Sequence, residues 1–524
     1  MGKKGAIFHM EPSPGKQLFI DDCFIESLHG ARRVLNQPQK LTVEGPLHIP
    51  FDQPWDSEFA QPGRVVYDEE TGRFRMYYRA WDGERSYLCA LDSSDGLNWE
   101  RPELGLVKFD GSTRNNITNA PADHLTIICD PREQDAARRW KMIDNRPFGV
   151  DEAGRERWRA YHSHDGLDWQ LYPEDRHSDQ KMLFNFGSPY ETFGGVIDPD
   201  APYVYYSQRG SNRRTRVLGR RDSQDFLNWS GLRTVIEQDL LDPPGTEFYS
   251  AGFDPVARTV GGLHVITLQT FLTDLSEPYA IADAANYWGQ ESGSNALPAR
   301  VDGFVDSQLA VSRDTVSWTR WRQPFIPRGE LGAWDGGMLY ADGPVLHDGK
   351  LWFFYMAGNL THSGYSAQPW QGAYSTPNRR GKGVAQLRPD GYVSVEADAY
   401  APGILTTHRF RQEEGGQIHV NVAADVGELR YELLADSGEP IPGYTAADCD
   451  PIRTDSLDAA LSWNGKPGWP PVSDSRRDRY PNLIQSEFYV KLRFHIAPGT
   501  KLYSLTIDPP EVLVWQVKIR TRID

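Results

Sequence analysis

Cysteine is scarce in this chain, which has four in 524 residues. Cys23, Cys89, Cys129 and Cys449 stand alone, with no C-x-x-C pair and no regular spacing. A disulfide framework needs paired cysteines and a zinc site needs closely spaced ligands, so neither is expected. We expect no metal and no cofactor.

Long apolar runs are also missing, so no segment is expected to span a membrane. The first residues, 1–9, carry a charged pair but no apolar stretch of signal-peptide length. A cytoplasmic protein is therefore expected, although a chain trimmed of its signal would look the same. The formal net charge of −16 argues against nucleic acid or an anionic membrane as the main partner. Nothing in the sequence indicates an oligomeric state.

Aromatic residues, glycine and proline are plentiful by contrast. Hydrophobic residues make up 39% of the chain, and 16 Trp and 24 Tyr provide ample apolar surface for burial. The 48 Gly and 37 Pro indicate many turns and few long helices. A chain of 524 residues is too long for one ordinary core, so two domains are expected.

The pattern Ser-x-Asp-x-x-x-Trp occurs four times, each time after a run rich in Tyr, Val and Ile. The copies begin at Ser93, Ser163, Ser223 and Ser312, at spacings of roughly 60 to 90 residues. Such a period fits a four-stranded sheet plus its loops and predicts a β-propeller. In each copy we expect Ser and Asp to bond the backbone of a tight turn and Trp to cover a hydrophobic seam.

The strand pattern divides the chain into three parts. Residues 1–44 are expected to be a lead-in that packs on the propeller, and residues 45–398 to hold five blades. Residues 399–524 alternate as the strands of a C-terminal β-sandwich. The predicted fold is therefore all-β, a five-bladed β-propeller followed by a β-sandwich.

The turn motif, the strand run 74–79 and a sandwich appended to five blades resemble the five-bladed propeller glycoside hydrolases, a group that includes families 32, 43, 62, 68 and 130. Segments 18–22 and 448–452 are also similar to a poorly characterised bacterial group described as family-32-like. The resemblance covers nearly the whole chain. It implies that one carboxylic acid protonates the leaving oxygen while a carboxylate on the other face acts as base or nucleophile.

Two acids match the family pattern in blades two and three. Asp130, before Pro131, resembles the Asp-Pro of family 32 that binds ring hydroxyls and stabilises the transition state. We predict that Asp130 lines the funnel, although an Asp before Pro is also a common turn former. Glu191 precedes a strand where these families carry their acid, and the alternative for Glu191 is an exposed loop residue.

Blade one departs from the pattern, because Gln61 stands where families 32 and 43 place an Asp. An amide is neither base nor nucleophile, so we expect Gln61 to contact substrate instead. The second carboxylate must then come from elsewhere. Asp56 and Glu58 are close enough in sequence to supply it from a displaced loop. Glu247 and Asp342, which are also natural turn residues, are the candidates from blades four and five.

Substrate-binding residues are predicted by their type and their place beside these acids. Tryptophans in loops suit stacking on sugar rings, and core packing is the alternative for them. Arginines at the ends of second strands suit a carboxylated or sulfated substrate, and solvated strand ends are the alternative for them. The candidates are Trp55, Trp81, Trp334, Arg79, Arg146, Arg209, Asp306, Asp335 and His362.

Together these features predict a glycoside hydrolase that cleaves a glycosidic bond of a carbohydrate with paired carboxylates. Two alternatives remain open. One is a phosphorylase like family 130, in which phosphate attacks directly and a basic cluster replaces the base. The other is a carbohydrate-binding propeller without activity.

Overall fold

The computed structural model describes residues 15–121, 125–144, 156–172, 176–178, 201–210, 216–230, 233–252, 263–273, 303–361, 380–398, 400–411, 416–435, 437–468 and 489–508. Within these ranges the regular elements are β-strands and two short 3-10 helices, Pro54–Asp56 and Ala136–Arg138. Neither helix is long and apolar enough to cross a lipid bilayer. The predicted all-β class is confirmed.

Five antiparallel meanders follow one another along the described parts of the chain, and a parallel pair between Val305 and Met338 joins the fourth and fifth into one sheet. Four short strands precede them: β1 (Lys16–Leu18), β2 (Ile25–His29), β3 (Ala31–Leu35) and β4 (Gln39–Lys40). The first meander is β5 (Phe59–Asp68), β6 (Arg73–Trp81) and β7 (Ser86–Ser93). The second is β8 (Leu125–Cys129), β9 (Trp140–Asp144), β10 (Glu156–Ser163) and β11 (Gln170–Leu171), and β12 (Arg176–Ser178) also pairs with β10.

The third meander is β13 (Tyr203–Gly210), β14 (Arg216–Ser223) and β15 (Arg233–Ile236). The fourth is β16 (Thr246–Gly252), β17 (His264–Thr273), β18 (Gly303–Ser312) and β19 (Thr319–Ile326). The fifth is β20 (Met338–Ala341), β21 (Val345–His347), β22 (Lys350–Gly358) and β23 (Arg380–Leu387), with β4 added at the edge of β23.

Neighbouring meanders share buried hydrophobic clusters, and the contacts return to their start. Each cluster contains large side chains from two meanders, so burial of apolar surface holds each sheet to the next. The pairs, from first–second to fifth–first, are Tyr77 with Trp140, Ile143 with Phe226, Leu218 with Phe248, Phe325 with Phe353, and Phe354 with Phe74.

The four Ser-x-Asp-x-x-x-Trp segments form the turns that their chemistry predicts. Ser93 Oγ donates to Asp95 Oδ1 at 3.1 Å, and the same oxygen accepts from the backbone N–H groups of Leu97 and Asn98 at 2.9 and 2.8 Å. Burial would raise the pKa of Asp95, but these bonds outweigh it and lower the pKa to about 2. The Asp-to-backbone bonds recur at Asp165, Asp225 and Asp314.

The turns also join one meander to the next. Gly166, with φ of 75°, accepts a hydrogen bond at its carbonyl oxygen from Tyr77 Oη at 2.7 Å. A Cβ atom on Gly166 would lie 2.5 Å from that oxygen and 2.8 Å from the ring of Trp140. The position therefore requires glycine for its conformation and for the close approach of the first meander.

The remaining strands form two facing sheets and a separate two-stranded hairpin, β30 with β31. They are β24 (Val393–Ala397), β25 (Gly403–Thr407), β26 (Phe410–Arg411), β27 (Gln417–Ala423), β28 (Leu429–Ala435), β29 (Asp455–Ala460), β30 (Ser462–Trp463), β31 (Lys466–Pro467), β32 (Tyr489–Ile496) and β33 (Lys501–Asp508). One sheet has the order β29-β27-β33-β24-β3, with β1 on β33, and the other β2-β25-β32-β26, with β28 on β32. Leu405, Val420, Leu433 and Phe494 belong to the core between them. We call β1–β3 with β24–β33 the C-terminal module.

The N-terminal strands hydrogen-bond mainly with the C-terminal module, while Leu18 and Ile20 lie in the hydrophobic cluster that the fourth and fifth meanders share. Strands β1, β2 and β3 pair with β33, β25 and β24, and only β4 joins the meanders. The physical reason is apolar burial, because Phe19 and Phe24 lie in the core of the module. Strand β24 also joins the module before position 399. The boundaries 1–44, 45–398 and 399–524 remain predictions.

Candidate functional site

The first strands of the first and fifth meanders run side by side in one direction. Lys382 Nζ donates to the Gly63 carbonyl oxygen and to Asp342 Oδ2, each at 2.7 Å. Four and five residues further on, the rings of Tyr67 and His347 are 4.9 Å apart between centroids. The second contact lies further along the chain in both segments, so the two segments run in the same direction. The starts of β5 and β20 therefore lie at the same end.

Strand β16 of the fourth meander has the same direction. The Tyr249 and Tyr340 ring centroids are 5.7 Å apart, and a Cβ atom on Gly252 would collide with the Ala341 carbonyl oxygen. The starts of β5, β16 and β20 therefore share one end, which we call the entry end.

A carboxylate held by an arginine lies at the entry end. Glu247 Oε2 accepts from Arg216 Nη1 at 2.7 Å, and the two side chains are 15% and 24% exposed. The Arg216 guanidinium also lies 5.5 Å from the ring centroids of Tyr249 and Phe271. Partial burial strengthens this ion pair relative to a surface pair, so the Glu247 carboxylate is fixed in place.

Two tyrosines and a second arginine complete the group. Burial raises the pKa of Tyr249 and of Tyr340 by more than the charges of Arg216 and Arg380 lower it. Both phenols thus stay protonated and can donate hydrogen bonds. The Arg380 side chain is exposed, and among the described residues it forms no ion pair. We call Arg216, Glu247, Tyr249, Tyr340 and Arg380 the inner-strand cluster.

Asp342 lies deeper than Glu247 along the same strands. Its ion pair with Lys382 of β23, whose side chain is 3% exposed, joins the end of β20 to β23, and the bond from Lys382 to Gly63 reaches β5. Asp342 lies level with Gly252, and Glu247 precedes Gly252 by five residues, which corresponds to about 16 Å of strand. The two carboxylates are therefore too far apart to act on one bond, which requires roughly 5 to 9.5 Å.

Register places four side chains on one face of the first meander, at the entry end. Phe59 pairs with Trp81 and Gln61 with Arg79, and alternation along β5 and β6 turns these pairs to the same face. Phe59 is 46% exposed, Gln61 is exposed, and Arg79 and Trp81 are half-buried. Arg79 Nη2 donates to Ser86 Oγ at 3.2 Å. We call these four residues the first-meander face.

Asp130 lies at the opposite end of these strands. It follows β8 and starts a hairpin whose Arg139 forms ion pairs with Asp68 and Glu70 in the hairpin after β5. That hairpin is seven residues beyond Gln61, or about 23 Å of strand. The structure thus does not bring Asp130 together with Glu247, Asp342 or Gln61.

The Asp130 carboxylate is enclosed by hydrogen bonds. Its Oδ1 accepts from the backbone N and Nε of Arg132 at 3.0 and 3.1 Å, and its Oδ2 accepts from Tyr203 Oη at 2.5 Å. Burial would raise the pKa of Asp130, but the bonds from Tyr203 and Arg132 outweigh it and lower the pKa. These contacts join the second meander to the third.

Trp55 and Asp56 belong to a buried network under the first meander. Asp56 accepts from the backbone N–H of Gln53 at 2.7 Å and from Tyr78 Oη at 3.0 Å, and Trp55 Nε1 donates to Asn116 at 3.0 Å. Burial raises the pKa of Asp56 despite these bonds and the nearby Arg101. With the side chain of Asp56 fully buried, neither residue offers a surface to a sugar.

Trp334, Asp335 and Asp306 form contacts beside the fifth meander. Asp335 is ion-paired with Lys40 at 2.6 Å, and Trp334 stacks on Tyr355 with centroids 6.0 Å apart. Asp306 accepts from Arg328 Nε at 2.5 Å. All three predicted residues are buried, and Lys40 of β4 is held to the fifth meander by this group.

The other predicted residues have less defined places. Glu58 is exposed beside β5 at the entry end. Glu191, Arg146 and His362 lie outside the described residues, and of Arg209 only its place in β13 is described. In the part of the chain that the structure describes, no group of three or more His, Cys, Asp or Glu side chains is arranged to hold a metal ion.

The sequence contains one signal that bears on Asp130. An Asp directly follows a first-strand segment in every predicted blade, at Asp68, Asp130, Asp198, Asp254 and Asp348. A residue that recurs at one position of a repeat is typical of a turn. No comparable signal marks Arg216, Tyr249, Tyr340, Arg380 or Lys382, because their partners lie tens of residues away.

No protein-family model matches this sequence, and no curated protein matches it significantly. Solved structures do resemble it. A glycoside hydrolase has 14% identity and a TM-score of 0.40, over 67% of this chain and 93% of its own. A structure from glycoside hydrolase family 130 has 14% identity and a TM-score of 0.39, over 68% of this chain and 95% of its own. That family is described as one of mannoside phosphorylases that contains glycoside hydrolases targeting beta-1,2 mannosidic linkages in Candida mannan.

A glycosyl hydrolase from Bacteroides ovatus has 14% identity and a TM-score of 0.37, over 68% of this chain and 95% of its own. Likenesses at this distance carry no argument about function.

Proposed function

We propose that the five meanders close into a five-bladed β-propeller and that the C-terminal module is a β-sandwich. The ring of shared clusters supports closure, since the fifth meander packs on the first through Phe354 and Phe74. Strand β4 supports it as well, because a strand from before the first meander completes the edge of the fifth. The entry end then becomes the mouth of a central funnel.

We infer that the protein is a carbohydrate-active enzyme that cleaves glycosidic bonds at this mouth. The observation that carries the proposal is the inner-strand cluster, in which Glu247 is held by Arg216 beside Tyr249 and Tyr340. The first-meander face lies at the same end and offers two aromatic rings and two planar polar groups. Aromatic rings suit the C–H faces of sugars, and amide and guanidinium groups suit their hydroxyls.

Glu247 is assigned the carboxylate role on the transition state. Arg216 holds this carboxylate in a fixed position, from which it can stabilise the positive charge of an oxocarbenium-like state or attack it. Tyr249 and Tyr340 donate hydrogen bonds to ring hydroxyls. Hydrolysis needs a second carboxylate near the first, and the remaining predicted candidates for it are Glu58 and Glu191.

Phosphorolysis is the second candidate, and Arg380 favours it. Arg380 pairs with Gly358, which pairs with Met338, so it lies at the entry end beside the start of β20. Its exposed guanidinium, which has no ion-pair partner among the described residues, suits a phosphate oxyanion. Phosphate as nucleophile would remove the need for a second carboxylate. The bond between the anomeric carbon and the leaving oxygen would then break, a bond from that carbon to an oxygen of hydrogen phosphate would form, and the proton of the hydrogen phosphate would pass to the leaving oxygen.

Turnover of a panel of neutral and acidic oligosaccharides, with and without inorganic phosphate, tests both candidates. Hydrolysis predicts equal rates and a free reducing sugar, whereas phosphorolysis predicts a sugar phosphate only when phosphate is present. In either case Glu247→Gln should lower kcat by at least about a hundredfold.

The matched control is Asp92→Asn. Asp92 is ion-paired with Arg75 at 2.8 Å and is 15% exposed, as is Glu247, but it lies in β7 outside the inner-strand cluster. Its variant should keep kcat within about threefold of the parent. Equal losses in the two variants, or full activity in Glu247→Gln, would remove Glu247 from the proposed site.

A further inference from the structure

A cavity of about 310 Å³ opens on the outer face of one sheet of the C-terminal module. It is lined by residues of β2, β25, β28 and β32 and of the turn after β28. The volume falls at the lower end of the range of roughly 300 to 1,000 Å³ that small-molecule sites occupy. The inner-strand cluster contributes nothing to this cavity.

Glu26, Lys491 and Arg493 form the charged part of the cavity wall, and Glu432 lies behind Arg493. Lys491 Nζ lies 2.7 Å from both carboxylate oxygens of Glu26, and Arg493 Nη1 lies 3.1 Å from Glu432 Oε1. His495 Nε2 is 3.1 Å from the same Glu432 oxygen. Each cation of the wall is therefore balanced by a carboxylate, Lys491 by Glu26 in the wall and Arg493 by the buried Glu432 behind it, so no excess charge selects an anion or a cation.

The floor of the cavity is apolar, and hydroxyl groups lie beside it. Ile404 and Leu434 line the cavity with Ser27 and Thr406. Leu434 and Thr406 are buried, whereas Lys491 and Arg493 are half-buried and keep further N–H groups for a ligand. An apolar floor below a mixed wall of donors and acceptors suits a ring with a C–H face and several hydroxyls.

We propose that this cavity is a second carbohydrate site, which binds a neutral sugar residue and holds a glycan on the C-terminal module. The charge balance of the two ion pairs selects neutral sugars over uronates. The ligand class agrees with the proposed function but does not depend on it, since binding here requires no turnover.

Binding is measured by titration calorimetry on the full chain, with xylo-, manno- and arabino-oligosaccharides as neutral probes and trigalacturonate as the acidic probe. The host is the Glu247→Gln variant, so that no probe is consumed. At least one neutral probe should bind, and trigalacturonate should bind more weakly.

Two variants map the binding to the cavity. Lys491→Met removes a charged donor and leaves Glu26 partly exposed, so it should weaken binding about tenfold or more. Ser27→Phe fills the cavity and should abolish binding. The matched control is Lys501→Met, which removes the Lys501–Glu396 pair at 3.2 Å in the other sheet and should leave binding unchanged.

The proposal is overturned if no neutral probe binds at millimolar concentration, if trigalacturonate binds more tightly, or if Lys491→Met and Ser27→Phe bind like the host. Turnover of short oligosaccharides by Lys491→Met in the otherwise native chain is scored separately. Loss of carbohydrate binding with normal turnover would support this site, and absence of turnover with normal binding would count against the inner-strand cluster alone.

Discussion

Replacing Asp130 by Asn should weaken the fold and leave the chemistry intact. The carboxylate accepts from Tyr203 and Arg132, and Lys141 Nζ lies 4.0 Å away. The Asn side chain has one acceptor oxygen in place of two, and it carries no charge. Either the Tyr203 hydroxyl or Arg132 then faces the N–H groups of the amide, and any bond that remains is to a neutral acceptor. Hydrogen bonds to a charged group contribute about 1.5 to 3 kcal/mol each, whereas the bond from Arg132 Nε is discounted because that side chain is 43% exposed.

We therefore expect the free energy of unfolding to fall by about 2 to 3 kcal/mol at pH 7. The pKa of Asp130 is lowered in the folded state, so its stabilising effect is present above the unfolded pKa of about 3.9 and is lost as pH falls through the folded pKa. The difference between parent and variant should consequently shrink below about pH 4.

The assay is urea and thermal unfolding at pH 7 and at about pH 3, together with kcat on the best substrate of the oligosaccharide panel. Asp68→Asn is the matched control, since Asp68 occupies the same hairpin position and is ion-paired with Arg139 at 2.5 Å. Both variants should lose stability and keep kcat within a few-fold. A loss of several orders of magnitude in kcat for Asp130→Asn alone, with unchanged stability, would refute this reasoning and return Asp130 to the role predicted from the resemblance.

Two further predictions concern substrate binding and the turns. Trp81→Ala should raise KM about five- to tenfold with kcat nearly unchanged, because a stacking ring binds substrate and transition state alike. Steady-state kinetics test this, with Val43→Ala as an exposed apolar control. A fall in kcat without a change in KM would contradict the prediction. Gly166→Ala should destabilise the protein by about 2 to 4 kcal/mol, since its Cβ would lie 2.5 Å from Tyr77 Oη. Gly111→Ala has a similar φ of 80° and open space around the Cβ, so it should cost only about 1 kcal/mol in the same unfolding assay.

Local chemistry explains which features the sequence could predict. The turn at Asp95 was predictable because its partners, Ser93, Leu97 and Asn98, lie within three residues. The strand order within the first meander was equally accessible, since short hairpins connect β5 to β6 and β6 to β7. The all-β class followed from the same patterns.

The candidate site was predicted only in part, because it depends on contacts between distant segments. Glu247 was a candidate, but its partner Arg216 is 31 residues away in another meander, and no pattern connects them. Asp130 illustrates the reverse case, since an Asp-Pro pair suggests either a catalytic residue or a turn until the position of Tyr203 is known. Gln61, Arg79 and Trp81 were separate predictions, and the register of β5 with β6 places them on one face with Phe59.

The pairing of the first strands with the last ones has a consequence during synthesis. Lys16 in β1 pairs with Thr506 in β33, and Glu26 finds Lys491 across 465 residues. At about 5 to 20 residues per second, the ribosome needs roughly 20 to 90 s to supply these partners. Until then Phe19 and Phe24 have no core to pack in, although the five meanders, which lie between the first strands and the last ones in the chain, can already form. The C-terminal module is thus completed last, and a chain released early leaves its own beginning exposed to aggregation or to chaperones.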